Sequence, residues 1–194
     1  IISSENFYLF PNPNRLASLL STSHTFRNRT PKIVVYLRPQ EELVEAWYNQ
    51  TVKAQGYSGT FNDSFKKYCD LWNYSAGLEP WAMNFGTENI LVRPYFGGSG
   101  KEWEIRTDFL KLLNIAPEGF FISDHRENTN LNRDLLEVQR ILNCLPLSPV
   151  DKRQFHKQFI ELNQKTRHSG LFHDTPILSP EKRAEIRAHY SDSN

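Results

Sequence analysis

Two arginines lie where a short apolar run gives way to a proline, a position from which a guanidinium can bind a phosphate. Arg38 follows the apolar run at 33–37, and a helical pattern begins directly afterwards. Arg93 follows a second apolar run at 90–92. Ligands of an open α/β sheet bind at the carboxyl ends of its strands, and an arginine there can contact a phosphate through two parallel hydrogen bonds. We therefore predict that Arg38 binds a phosphorylated ligand, with a structural salt bridge as the alternative. Arg93 can either bind an anion or pair with Asp108.

A buried strand and an amphipathic helix are the elements that must position Arg38. The run IVVYL at 33–37 is uninterrupted and rich in β-branched residues, as the strands of parallel sheets are. Apolar residues recur near the helical period over 40–54, which predicts a helix with one buried face. Two glutamates fall in its first turn, where the helix dipole favours acidic groups, and Gly56 can end it. Arg38 is thus predicted to lie between the end of a strand and the start of a helix.

Strands and helices alternate along the rest of the chain. Apolar periodicity predicts helices at 14–23, 61–72, 107–113, 131–143, 150–164 and from 180 onward, and strands at 1–4 and 89–95. The helix at 61–72 is expected to be capped by Asn62, Asp63 or Ser64 and to be followed by a break near residues 77–80. This alternation is typical of α/β proteins, in which helices flank a parallel sheet. We predict a single domain over 1–194 that is incomplete at both ends, because the strands are few for such a sheet.

Composition and charge exclude several classes of protein. Lysine and arginine number 23 against 22 acidic residues, which gives a net charge of +1, and 39% of the residues are hydrophobic. This balance does not predict a sequence-independent nucleic-acid binder or a protein that binds anionic membranes. No run approaches the roughly 20 apolar residues of a membrane span. We expect a globular protein with no nucleic-acid partner and no membrane span.

The cysteines and histidines do not predict a metal site. Cys69 and Cys144 are far apart and have no metal-ligand spacing, so we interpret them as core thiols of a reducing compartment. None of the six histidines forms the i, i+4 pair of a metal-binding helix. We therefore predict a cytoplasmic protein whose chemistry requires no metal.

The segment YLRPQEELVEAWYNQTVK at 36–53 resembles the 3′-phosphate-binding region of sulfotransferases that use 3′-phosphoadenosine-5′-phosphosulfate (PAPS). The shared pattern is an apolar strand, an arginine, a turn and a helix. Further segments are similar to the same family in the same order, most of all to its bacterial, glycan-modifying members. They are SSENF at 3–7, NILVRPYF at 89–96 with DFL at 108–110, RENTNLNRDLLEVQRILN at 126–143 and LSPEKRAEIRAHYSDSN at 178–194.

The resemblance implies a partial sulfotransferase fold of the P-loop-NTPase-like type. It also implies an enzyme that moves a sulfuryl group from PAPS to a hydroxyl of a carbohydrate or a related small acceptor, without a metal. By the resemblance, Arg38 would bind the 3′-phosphate of the donor. Tyr48 and Arg126 would also contact the nucleotide, although Arg126 can equally belong to a solvated loop.

The resemblance also suggests residues for the acceptor side. Sulfuryl transfer to a hydroxyl needs a base that takes the acceptor proton. Glu5 is the candidate for that base, and capping the following turn is the alternative for its carboxylate. Ser4 and Arg93 are the candidates for binding the acceptor, and Ser4 can instead simply end its strand.

The sequence departs from the family pattern in two places. The family has a serine eight residues after the arginine, where this chain has Ala46, so one charge-assisted hydrogen bond to the phosphate is lost, worth about 1.5–3 kcal/mol. Tyr48 and Asn49 lie close by in the same helix and are the candidates to compensate. The loop GGSGK at 97–101 lacks the ending of a phosphate-binding loop and is interpreted as a turn. The loop that holds the 5′-phosphosulfate is therefore expected to precede residue 1.

Two alternatives remain open. The first is a catalytically degenerate relative that keeps the sulfotransferase fold and binds a glycan or a protein partner; Ala46 favours it. The second is a small kinase with the same layered sheet. The absence of a Walker lysine and of an acidic magnesium site after a strand argues against the kinase.

Overall fold

The computed structural model describes residues 1, 3, 7, 9, 12–95, 105–119, 131–166, 169–172 and 176–191. The elements in these ranges are α1 (Pro13–Thr22), β1 (Ile33–Leu37), α2 (Gln40–Gln55), α3 (Phe61–Tyr68), α4 (Tyr74–Phe85), β2 (Ile90–Pro94), α5 (Ile105–Leu112), α6 (Arg133–Asn143), α7 (Pro149–Thr166) and α8 (Pro180–His189). Short 3₁₀ turns at Cys69–Trp72 and Thr87–Asn89 precede α4 and β2. The prediction of an α/β fold is confirmed, and most of the described elements are helices.

The two strands form a small parallel sheet. Ile33 lies opposite Ile90, and Leu37 lies opposite Pro94, so β1 and β2 end at the same edge. The connection between them consists of α2, α3 and α4, as a parallel crossover requires. We call the edge where both strands end the carboxyl edge. Of the strand predicted at 1–4, residues 2 and 4 lie outside the described residues, and residues 1 and 3 belong to no strand or helix.

Helix α2 begins and ends as its sequence predicts. Glu41 and Glu42 lie in its first turn and Lys53 in its last turn, which matches the sign of the helix dipole at each end. Gly56 ends the helix in the left-handed conformation, with φ of 71°. A glycine adopts this conformation without the steric cost that a Cβ imposes, so the helix stops here.

Helix α2 contributes to both clusters of buried apolar residues in the described part of the chain. One cluster joins α2 to the turn before α4 and to α8, and it contains Val44, Trp72, Leu178, Ile186 and Tyr190. The other joins α2 to α6 and contains Tyr48, Val52, Leu131, Leu135 and Leu136. Because α2 lies between these clusters, its first residue and the strand end before it are held in place by packing on both α6 and α8.

Two local predictions for the region after α2 are wrong. The cap of α3 is Thr60, which forms a capping box with Asp63, rather than one of the three residues at 62–64. The predicted break near 77–80 is absent, because α4 continues through Pro80. Proline removes one helical hydrogen bond, but the buried side chains of Tyr74 and Trp81 anchor the turns on both sides of it. Tertiary packing therefore outweighs the local preference of proline.

Candidate functional site

Arg38 lies at the carboxyl edge, directly after β1 and two residues before α2 begins. The backbone N–H of Tyr95 donates to the carbonyl of Leu37 over 2.7 Å, which places the residue after β2 beside the end of β1. The guanidinium of Arg38 lies over the ring of Tyr95, with its Cζ 4.7 Å from the ring centroid. The hydroxyl of Tyr74, the first residue of α4, donates to the backbone carbonyl of Arg38. Two tyrosines therefore hold Arg38, one at the side chain and one at the backbone.

No described carboxylate forms an ion pair with the half-buried Arg38. The Tyr95 ring contacts the charged group of Arg38 at the distance of a cation–π interaction. A guanidinium carries five N–H donors, and no described carboxylate pairs with those of Arg38.

The start of α2 adds a partial positive charge close to Arg38. Pro39 is the N-cap residue, and no side chain caps this end of the helix. The positive end of the helix dipole favours an anion at such a terminus. The carboxylate of Glu41 in the same turn is buried and accepts a hydrogen bond from Arg187 of α8 over 3.1 Å. That ion pair offsets one negative charge that lies near the predicted anion site.

Tyr48 lies in the core, and its hydroxyl is at the other end of α2 from Arg38. Its side chain is 5% exposed and belongs to the cluster between α2 and α6. The hydroxyl donates to the carbonyl of Gly59, in the loop after α2, over 3.4 Å. Burial raises the pKa of Tyr48 to about 12. The structure does not bring this hydroxyl to Arg38, and half-buried Ala46 offers none, so neither residue supplies the missing phosphate contact from these positions.

Arg93 pairs with Asp108 of α5, which is one of the two possibilities left open by the sequence. Its Nε donates to Oδ2 over 3.1 Å, and its Nη2 donates to Oδ1. Tyr36, which is opposite Arg93 in the sheet register, also donates to Asp108 Oδ2 over 2.7 Å. The hydrogen bonds from Arg93 and then from Tyr36 lower the pKa of Asp108. Burial, followed by the hydrogen bond to Asp108, raises the pKa of Tyr36. Arg93 therefore joins β2 to α5.

Three of the predicted site residues lie outside the described residues. They are the candidate base Glu5, the candidate acceptor ligand Ser4 and the candidate nucleotide ligand Arg126. Their roles stay predictions.

Sequence reasoning missed both tyrosines that hold Arg38. A signal for Tyr95 exists, because a parallel register that pairs the ends of β1 and β2 places the residue after Pro94 beside Arg38. No comparable signal exists for Tyr74, which is 36 residues away from Arg38 along the chain and reaches it through the packing of α4.

The described residues contain neither a group of metal ligands nor a membrane-spanning helix. No three His, Cys, Asp or Glu side chains in these ranges are grouped so that they could hold a metal ion. None of the described helices is both long and apolar enough to cross a lipid bilayer.

Comparison with known proteins finds one archaeal relative without an assigned role. It is described only as an uncharacterized protein of Archaeoglobus fulgidus, and it is 30% identical over 196 residues. The alignment covers 100% of this chain and 51% of the relative, so the chain spans about half the length of that protein. No protein-family model matches the chain, and no solved structure matches it.

Proposed function

We propose that this chain carries the donor-nucleotide site of a PAPS-dependent sulfotransferase, in which Arg38 binds the 3′-phosphate. The observation that carries the proposal is the position of Arg38 at the carboxyl edge, directly before a helix start, with no described carboxylate paired to it. A parallel strand pair followed by arginine and helix also agrees with a P-loop-NTPase-like sulfotransferase fold, which we propose for the domain.

The chemistry of Arg38 suits a phosphate dianion better than it suits a neutral ligand. A guanidinium stays charged at neutral pH and can donate two parallel hydrogen bonds to phosphate oxygens. The start of α2, which no side chain caps, adds the positive end of a helix dipole within two residues. Both contributions favour negative charge at the same place.

In the proposed reaction, a hydroxyl oxygen of the acceptor attacks the sulfur of PAPS in line. The bond between that sulfur and the bridging phosphate oxygen breaks, and adenosine 3′,5′-bisphosphate leaves. The hydroxyl proton passes to a base, for which we propose Glu5. We assign donor binding to Arg126 in addition to Arg38, and acceptor binding to Ser4.

The acceptor in this proposal is a carbohydrate or a related small hydroxyl compound, and we place the reaction in the cytoplasm. The pairing of Arg93 with Asp108 favours a structural role for Arg93 over contact with the acceptor. Tyr48 is likewise assigned to the core, because its ring is buried and its hydroxyl contacts Gly59.

A second candidate function is a sulfotransferase-like domain that binds a glycan or a partner without chemistry. Ala46 favours it, because this position of α2 supplies no hydroxyl to a phosphate, and the buried Tyr48 does not replace it. The two candidates differ in turnover. An enzyme transfers sulfate from PAPS to an acceptor, whereas a degenerate domain does not.

Calorimetry with adenosine 3′,5′-bisphosphate on the full-length protein tests the donor site. We expect the wild type to bind, and Arg38→Ala to bind about 10- to 100-fold more weakly because charge-assisted hydrogen bonds are lost. Arg153→Ala, which removes an exposed arginine of α7, is the control for the change in net charge and should bind within about twofold of the wild type. Absence of binding to the wild type would reject the donor site, and equal affinity in Arg38→Ala would remove Arg38 from it.

A further inference from the structure

The ring of Tyr95 restrains the guanidinium of Arg38 before any ligand is present. The two residues directly follow neighbouring parallel strands, and the Tyr95 N–H donates to the carbonyl of Leu37, the last residue of β1, over 2.7 Å. The ring is half-buried and lies under the guanidinium, with 4.7 Å between Cζ and the ring centroid. Both partners of this contact are therefore carried by the sheet itself.

The backbone of Arg38 is fixed independently of its side chain. The hydroxyl of buried Tyr74 donates to the Arg38 carbonyl, and Tyr74 is held in turn at the first position of α4. The Cα of Arg38 is therefore anchored by β1 on one side and by α4 on the other. An arginine whose backbone is anchored in this way can still move its long side chain. The Tyr95 ring contacts the guanidinium at the end of that side chain.

A restrained arginine binds an anion more tightly than a mobile one. An arginine side chain has several rotatable bonds, and ordering it on binding opposes affinity. When a ring face already holds the guanidinium, this ordering has taken place during folding. A guanidinium carries five N–H donors, so contact with one ring leaves donors for a phosphate.

We infer that Tyr95 is a positioning residue, which holds Arg38 in the orientation that binds the 3′-phosphate of the nucleotide. The inference rests on the proposed function of the site, because it names the group that pre-organises its principal cation. Tyr95 acts through Arg38, and the contribution comes from its aromatic face. Variants that keep a ring are therefore expected to keep the site.

Nucleotide affinity in three variants tests this role. With adenosine 3′,5′-bisphosphate as the probe, Tyr95→Leu should bind about three- to tenfold more weakly than the wild type, which is the range expected when a cation–π contact is lost. Tyr95→Phe keeps the ring and should bind within about twofold of the wild type. If Tyr95→Leu does not fold, Tyr95→Trp provides the test. Its larger ring should keep or raise the nucleotide affinity, and a loss of affinity in this variant would contradict the inference.

Nuclear magnetic resonance of the ligand-free protein separates this inference from the proposed function. We expect the Arg38 Nε–H group, assigned from its absence in Arg38→Lys, to be as ordered in Tyr95→Phe as in the wild type and to become mobile in Tyr95→Leu. An equally ordered Nε–H in Tyr95→Leu, or unchanged nucleotide affinity in that variant, would overturn the positioning role. Absence of nucleotide binding to the wild type would instead reject the proposed function, and the resonance would still report whether Tyr95 restrains Arg38.

Discussion

Asp108 accepts two hydrogen bonds from the guanidinium of Arg93 and thereby joins α5 to the end of β2. The hydroxyl of Tyr36 donates to the same carboxylate over 2.7 Å from the neighbouring strand. One carboxylate therefore connects both strands of the sheet to one helix. Because Arg38 follows Tyr36 by two residues, this connection also stabilises the strand end that presents Arg38.

We predict that Asp108→Asn destabilises the protein at neutral pH and less so in acid. The pKa of Asp108 in the folded state lies below its ordinary value of 3.8, chiefly because of the hydrogen bond from Arg93 and then that from Tyr36. Its contribution to stability is therefore present above about pH 4 and is lost as the pH falls through the folded-state pKa. Urea unfolding of both proteins at pH 7 and near pH 3 measures the difference.

Glu118→Gln is the control for Asp108→Asn, because Glu118 is exposed in the chain that follows α5. This change should alter the free energy of unfolding by no more than about 0.5 kcal/mol. A destabilisation by Asp108→Asn that stays constant from pH 7 to pH 3 would contradict the proposed origin of the stabilisation.

Asn49→Ala is expected to lower the free energy of unfolding by about 2–3 kcal/mol, because it leaves buried backbone groups without partners. The Asn49 side chain is 1% exposed, donates to the Leu131 carbonyl over 2.9 Å and accepts from the Leu131 N–H over 3.3 Å. The change should also increase hydrogen exchange at the start of α6. Gln50→Ala, at the next and exposed position of α2, should cost less than about 0.5 kcal/mol. Similar losses in the two variants would refute a specific role for Asn49.

Glu45 is predicted to hold α8 and the segment before it against α2. Its carboxylate pairs with Arg183 of α8 and accepts the backbone N–H of Ile177 over 2.6 Å. Glu45→Ala should therefore lower stability by about 2 kcal/mol and increase cleavage of the 177–190 segment in limited proteolysis. Glu42→Ala, an exposed neighbour in α2, should leave cleavage unchanged. Equal protection of α8 in all three proteins would show that the apolar cluster alone holds this helix.

The stability of the protein should fall as the pH drops below about 6.5 because of His156 in α7. Burial, and then the charge of Lys53, lower the pKa of His156 below its ordinary value of 6.5. The unfolded chain therefore takes up a proton at a pH at which the folded chain does not, so stability is lost as the pH falls through 6.5 toward the folded-state pKa. His156→Leu should reduce this loss when unfolding is measured at pH 8 and pH 5.5. An identical pH dependence in both proteins would contradict the prediction.

Local sequence predicts α2 well because the signals for both of its ends are local. The acidic first turn, the apolar period and Gly56 all lie within the helix or next to it. In α4 the local signal is misleading, because proline disfavours a helix interior but buried aromatic side chains on both sides of Pro80 keep the helix continuous.

The candidate site is only partly predictable, because its contacts join residues that are distant in sequence. The place of Arg38 follows from the end of a strand and the start of a helix, both of which the sequence indicates. The contact from Tyr74 depends on how α4 packs. The choice of Arg93 between a ligand and Asp108 depends on where α5 docks on the sheet. Spacing along the chain predicts neither how α4 packs nor where α5 docks.

Tyr48 shows how a residue near a predicted site can belong to the core instead. Val44, Tyr48 and Val52 recur every four residues and therefore share one face of α2, which the structure buries. The same periodicity that predicts the helix thus also indicates a core position for Tyr48. The resemblance to a nucleotide-binding helix pointed to the opposite role.

A crystal structure of the full-length protein with adenosine 3′,5′-bisphosphate tests the central claim most directly. We predict that oxygens of the 3′-phosphate lie about 2.7–2.9 Å from guanidinium nitrogens of Arg38, the range of charge-assisted hydrogen bonds. A nucleotide bound elsewhere, or a 3′-phosphate bound at the carboxyl edge without contact to Arg38, would contradict it.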